Sequence, residues 1–586
     1  MKNKKTLHLA IALAISSMPL FGVAEAARGS MYGGESVGDD VTIEASANAY
    51  PTFVGHAFGI YTNVTNSATV TSAGNRLTIT TTGEAGDGIR SNPSGDSNWQ
   101  NATGTINVGD GLTITVSGNS ADGLNINGST VLNIGDNATI NTLYNGELKY
   151  SNGDTSDGAH AVRANFHATI NIGEGLTAGT LGESSHAVYA AHGRSVRNNP
   201  TNGSNINIGK GAVLSTAGKG SHTVMMASNN GKIVIGEDAK MTTLGDGAHG
   251  VAAYADTSGK GSEANGTVEI GAGSTIATAG AGSHGVFANM TGSVLSLDDN
   301  VGITTEGDAS HGLLAQRGVI EAGDGLNISV EGSGSHGAYV NAATGSIEFL
   351  GGATIDNNDN DGYAIYADKG TITGTAGNST FNITGNMYAD NSGSIDLDMD
   401  NNSVFTGSTA LANSGTINLN LKNNSYWHVT SSSEVSSLHV SGGSMVNLSY
   451  EAGMNTVVTV DDLSGSGGVF KFNTELDSEA NGDKLVINSS ETGSTHYVHV
   501  NDLSLINGEV SGEKKLHLIT DNSSNASFVG EYMDTGGLWD VLPTVERGDT
   551  LGESANEWYL TKIEKKENSN TETINDGFAS DYSLWR

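Results

Sequence analysis

The chain of 586 residues has no cysteine, which removes disulfides, cysteine-ligated zinc and thiol nucleophiles together. Proline occurs only 5 times, against ~5% of positions in an ordinary protein, so neither collagen nor a Pro/Gly-rich disordered tail fits. Basic residues are also few: 27 Lys and Arg stand against 63 Asp and Glu, for a formal charge of −36. A nucleic-acid binder needs a basic face to replace phosphate counterions, so that partner is not expected. Aromatic residues make up 6%, and beyond Val23 no apolar run approaches the ~20 residues of a spanning helix. What abounds is glycine, at 82 positions, about twice its usual ~7% share. Glycine without proline suits many tight turns between regular strands. The length exceeds a single core and calls for several domains or a repeat array.

The N-terminus reads as an export signal. Lys2, Lys4 and Lys5 form a basic region, and an apolar stretch from Leu7 to Val23 follows. Ala24-Glu25-Ala26 then supplies the small-x-small pattern of signal-peptidase cleavage, so residues 1–26 are the expected signal peptide and Ala27 the mature start.

One phrase organises the next two thirds. Its centres are His160, His186, His222, His249, His284, His311 and His336, lying 26, 36, 27, 35, 27 and 25 residues apart. A typical copy is Gly282-Ser283-His284-Gly285-Val286; Asp87-Gly88-Ile89, Asp122-Gly123-Leu124 and Asp361-Gly362-Tyr363 are weaker copies without histidine. A second phrase keeps step, as in Thr169-Ile170-Asn171-Ile172-Gly173 and Thr267-Val268-Glu269-Ile270-Gly271. It alternates apolar and polar residues, the mark of a half-buried strand, before a glycine-bearing turn. No 3.6-residue apolar period appears. Short strands in units of about 26 residues bury a face only by stacking, which predicts a β-solenoid. Nine steps of ~4.8 Å from Ile89 to Tyr363 would span about 43 Å. The alternative, a propeller, lacks its blade signatures.

Equivalent residues of stacked coils lie above one another, so the seven histidines should form a column. Strand alternation puts His284 on the face of Val286 and Ala288. Two readings compete: a metal-binding or pH-sensing ladder, and a packing ladder whose imidazoles fill a corner and hydrogen-bond backbone. The spacing follows the repeat rather than a local metal geometry, which favours packing. No metal or other cofactor is expected.

From about Phe381 the histidine phrase disappears but alternation persists, as in Ile395-Asp396-Leu397-Asp398-Met399-Asp400. Ser414-Gly415-Thr416-Ile417-Asn418-Leu419 through Ser425-Tyr426-Trp427 resembles the rungs of pertactin-like autotransporter passengers. So do Val458 to Gly467, Phe470-Lys471-Phe472-Asn473-Thr474, Gly482-Asp483-Lys484-Leu485-Val486-Ile487 and Asn556-Glu557-Trp558-Tyr559-Leu560. The resemblance, which extends to AIDA-type adhesin passengers, implies type V secretion by a Gram-negative bacterium and a right-handed parallel β-helix. It further implies a C-terminal part that nucleates folding and caps the helix. The expected organisation is signal peptide 1–26, repeat β-helix 27–380, pertactin-like region 381–565 and the start of a linker at 566–586. In the family such a linker leads to an outer-membrane β-barrel translocator, a partner the chain does not encode before Arg586. A passenger separated from its barrel is therefore expected, at the cell surface if a barrel is supplied and otherwise periplasmic or secreted.

Catalytic signatures are weak. Gly95-Asp96-Ser97 continues with Asn98-Trp99 rather than the glycine of a serine-protease motif, and reads as a turn. Gly109-Asp110-Gly111 resembles a phosphate loop but precedes no helix. Asp396, Asp398 and Asp400 share a strand face that can hold Ca²⁺ but fits a solvated surface better. The expected role is non-enzymatic: adhesion to host or bacterial surfaces, or self-association. The alternative is a carbohydrate-active β-helix, a lyase or tailspike-like hydrolase.

Overall fold

Alternating apolar and polar residues, interrupted every few positions by Gly, Asn or Asp, produce a molecule of short strands. A computed structural model describes residues 30–46, 58–64, 69–83, 86–93, 103–144, 158–191, 203–254, 265–357, 361–450, 453–506, 513–534 and 539–567. The signal-peptide residues Ala24, Ala26 and Ala27, the Gly95-Asp96-Ser97 turn and the linker from 568 onwards lie outside them. Among the described residues there is no α-helix, only short 3-10 turns such as Leu476–Ser478. The chain divides into two compact units, residues 1–350 with 355–363, and 351–354 with 364–586.

In the first unit each coil contributes three strands, and every strand pairs in parallel with its equivalent one coil away. Val286, Leu313 and Ala338 are in register on one face. Leu295, Ile320 and Ile347 are in register on the second, and Ile276, Ile303 and Ile328 on the third. The strands run only two to six residues, as Val294–Leu297 and Gly302–Thr305 illustrate with their alternating burial. Inward side chains of neighbouring coils then stack into columns that are almost fully shielded from water; Ile276, Ile303 and Ile328 are each at most 1% exposed. The fold is a parallel β-helix.

Turn chemistry explains the glycine excess. Gly111 closes the Gly109-Asp110-Gly111 turn with φ +73°, which an L-side chain adopts only at a cost. The glycine after histidine has a different reason. A Cβ at Gly285 would lie 2.4 Å from Ile303 Cγ2 and 2.6 Å from the carbonyl oxygen of Gly312, so the His-Gly pair marks where one coil presses on the next.

The second unit opens with tighter coils. Ile365, Met387 and Thr409 succeed one another in register every 22 residues. Its interior carries a column of larger side chains: Ile383, Phe405, Trp427, Val446, Phe470 and Val498 are paired in sequence. Near its C-terminal end the pairing changes sense. Leu516–Asp521 pairs antiparallel with Glu557–Glu567, which pairs antiparallel in turn with Trp539–Arg547. An antiparallel layer ends the run of parallel pairings and gives the unit its cap.

Candidate functional site

The seven histidines form the column that the repeat predicts. Successive imidazoles stack with ring centroids 5.0 Å apart at His160–His186 and 4.8 Å apart from His186 to His336, with nearly parallel planes from His186 onwards. From His186 onwards, each histidine backbone N–H donates to Nδ1 of the histidine one coil earlier. The distances are 3.0 Å from His186 to His160, 3.0 Å from His222 to His186 and 2.9 Å from His249 to His222. They continue at 3.0 Å from His284 to His249, 3.1 Å from His311 to His284 and 3.0 Å from His336 to His311. Tyr363 N–H closes the series on His336 Nδ1 at 3.0 Å. An Nδ1 that accepts must carry no proton, so these rings are neutral with the proton on Nε2.

The histidine-free copies continue the same device with a carboxylate. His160 N–H donates to Asp122 Oδ1 at 2.7 Å, and Asp122 N–H to Asp87 Oδ1 at 2.8 Å. Burial pushes Asp122 up to about 8 against the pull of Arg163, and burial raises Asp87 as well. Arg90 meets Asp87 at 2.9 Å, and Arg163 approaches Asp122 at 3.6 Å. Burial likewise holds His160, His186, His222, His249, His284 and His311 well below the ordinary histidine value, with neighbouring imidazoles or Arg163 adding to the effect.

The face assigned from alternation is corrected. His284 lies in the turn before the strand Val286–Asn289, so strand alternation does not govern it. Its ring packs 5.4 Å from that of Phe287, the strand residue opposite in direction to the buried Val286 and Ala288. Tyr189 and Tyr339 contact the column in the same way, and the Tyr254 hydroxyl meets His222 Nε2.

Two further columns flank the histidines. Serine precedes most of them, and Ser185 N–H donates to Ser221 Oγ at 2.9 Å, Ser283 to Ser310 at 2.9 Å and Ser310 to Ser335 at 2.8 Å. A buried threonine five residues earlier donates to the carbonyl just before histidine: Thr243 to Ala248 at 2.7 Å, Thr278 to Ser283 at 2.6 Å, Thr305 to Ser310 at 2.8 Å. Sequence reading missed both, although the fixed Thr-to-Ser offset carried the signal.

On the flank of the first unit, a groove of about 490 Å³ is lined by Glu237, Glu269, Asp298, Asp299, Glu321 and Asp324 with Leu297 and Leu350. Its carboxylates are partly engaged: Glu269 pairs with Lys232 at 2.7 Å and Glu321 accepts from Ser296 at 2.9 Å. Among the described residues no three His, Asp or Glu side chains converge as metal ligands. Asp398 is paired with Lys422 at 2.7 Å, and Asp396 and Asp400 accept from Asn418 and Asn423.

The motifs of the second unit have structural work of their own. Asp483 is fully buried and accepts from Ser449 Oγ at 2.7 Å, Thr456 N–H at 2.9 Å and Asn473 N–H at 2.7 Å. Trp427 donates its indole N–H to the Gly407 carbonyl at 3.0 Å. Residues 435–561 match the protein family described as Pertactin. The chain carries a pertactin-like segment. Within it Asp483, Asp502 and Asp521 each tie neighbouring backbone and hydroxyl groups together. Two solved structures are similar overall at 14% identity. The Haemophilus influenzae Hap adhesin covers 90% of this chain and 59% of its own, with a TM-score of 0.27. The autotransporter UpaB from E. coli strain CFT073 covers 92% of this chain and 100% of its own, with a TM-score of 0.24. The chain thus spans about three fifths of the Hap structure. No curated protein sequence matches the chain.

Proposed function

We propose that the chain is a non-enzymatic autotransporter passenger, exported behind a signal peptide at 1–26 and displayed on the cell surface by a β-barrel translocator. There it serves adhesion or self-association, with host-surface or bacterial-surface ligands, or further copies of itself, as partners. The pertactin-like segment at 435–561 is the observation that carries this reading, because fold alone does not give function. The β-helix offers a long, regular acidic flank on which many weak polar contacts can add up. Outward carboxylates such as Glu269 and Asp398 are engaged by Lys232 and Lys422, an arrangement suited to holding a surface together.

The test uses intact bacteria producing the full chain from its own locus, compared with a deletion strain. Added protease should cleave the chain on whole cells, and producing cells should clump or attach to host-cell monolayers more than the deletion strain. Protection from external protease would refute surface display. Release of reducing sugar from mixed polysaccharides by the purified chain would replace the passenger reading with a carbohydrate-active one.

A further inference from the structure

We propose that the histidine column is an acid-operated clasp: while neutral it zips successive coils of the first unit together, and protonation of its imidazoles releases them as a group. The argument is geometric. Six histidine N–H groups and that of Tyr363 depend on an Nδ1 lone pair one coil away. When a proton from solvent occupies that lone pair, Nδ1 becomes a donor and faces another donor. The hydrogen bond is replaced by a repulsion, and the backbone N–H is left buried without a partner.

The column also makes the change collective. A second imidazolium would sit 4.8 Å from the first in nearly parallel stacking. The other groups packed on the rings offer little compensation. In register over the column lie Arg163, Tyr189, Met225, Ala252, Phe287, Leu314 and Tyr339. Arg163 is cationic and adds repulsion at His160 and His186. The Tyr254 hydroxyl at His222 and the Tyr363 ring over His336 are neutral. Asp122 faces only the first member, through its N–H. Its raised carboxyl acts with the opposite sign, contributing stability that is lost as pH rises through about 8.

For the six histidines from His160 to His311 the folded values lie below the unfolded one of ~6.5. Their contribution is therefore complete above that pH and disappears as pH falls beneath it, because the opened coils bind more protons. Each proton gained on opening weakens the closed state about tenfold per pH unit.

The experiment is hydrogen exchange on the purified full chain between pH 7.5 and 4.5, corrected for intrinsic exchange. It is read on peptides spanning 158–191, 203–254 and 265–340. The comparison variant replaces His186, His222, His249, His284 and His311 with Asn, whose Oδ1 can accept the same N–H as Asp122 Oδ1 does. Wild-type protection should fall more than tenfold between pH 6.5 and 5.0 in these peptides together, and the fivefold Asn variant should lose most of that slope. Imidazole nitrogen NMR of the wild type provides a readout that needs no variant. Nε2–H tautomers should persist to below pH 6 and vanish together with protection. An unchanged slope in the variant, or imidazoles that charge near pH 6.5 while the coils stay protected, overturns the proposal.

Discussion

The two units solve the same stacking problem with different materials. In the first, coils of varying length carry mostly aliphatic interior residues such as Ile303 and Ile320, and the tie between coils is made by side chains that accept backbone N–H groups: His249 for His284, Ser310 for Ser283, Asp110 for Asp136. In the second, coils of 22 residues carry Phe405 and Trp427 in the interior, with ring centroids 5.8 Å apart. Polar ties tolerate insertions between coils because they act only at the point of contact. A column of large rings demands that every coil present its side chain at the same depth, and it repays that regularity with apolar burial. The comparison is broken most forcefully at Trp427, which is 0% exposed. Trp427→Ala should destabilise the surrounding coils by about 3–5 kcal/mol through the cavity it leaves. Hydrogen exchange over 403–448 reads this; a loss under about 1 kcal/mol would mean that the aromatic column is not what holds the second unit.

The complementary substitution is His249→Leu in the first unit. Leucine keeps bulk beside Phe287 but removes the acceptor of the His284 N–H. The expected loss is about 1–3 kcal/mol, the cost of a buried unpaired donor. It should be confined to coils near 249–284, since solenoid stability is a sum of neighbouring contacts. Restoring an acceptor with His249→Asn at neutral pH should recover part of it. If leucine and asparagine behave alike, the imidazoles act by packing alone and the contrast between the units collapses.

Much of this was legible in the residues. The repeat of Ser-His-Gly at 283–285 and its relatives gave the coil, and strict alternation at Ile395–Asp400 gave the strand, because both are local patterns. The acceptor role of Nδ1 is not local: it joins residues 25 to 36 positions apart, and nothing in a single copy shows which ring nitrogen points at the next coil. The direction of His284 was misread because the pleat begins only at Val286. The antiparallel sense of the expected cap escaped for a related reason. Glu557-Trp558-Tyr559-Leu560 looks like another rung, yet it pairs antiparallel with Leu516–Thr520; alternation records which side chains are buried and is silent on strand sense.

The smallest effect is expected on the outer face, where both units place exposed or half-exposed polar ladders. In the first, Asn133 and Asn171 reach from coil to coil at 2.9 and 2.8 Å. In the second, Lys422 meets Asp398 at 2.7 Å with about a third of each side chain exposed. Water and salt screen such a pair, so Lys422→Ala should change stability by only ~0–1 kcal/mol, and less in 0.5 M salt. Its sign is still informative. Asp396 and Asp398 stand on alternate positions of one strand with Asp400 just beyond its end, and Lys422 is the cation that offsets the middle one. Removing it leaves three like charges on one edge, so destabilisation should be greatest at low ionic strength and should vanish in Asp398→Asn/Lys422→Ala. A salt-independent loss above ~2 kcal/mol would show that the outer ladders, and not the interiors, distinguish the two units.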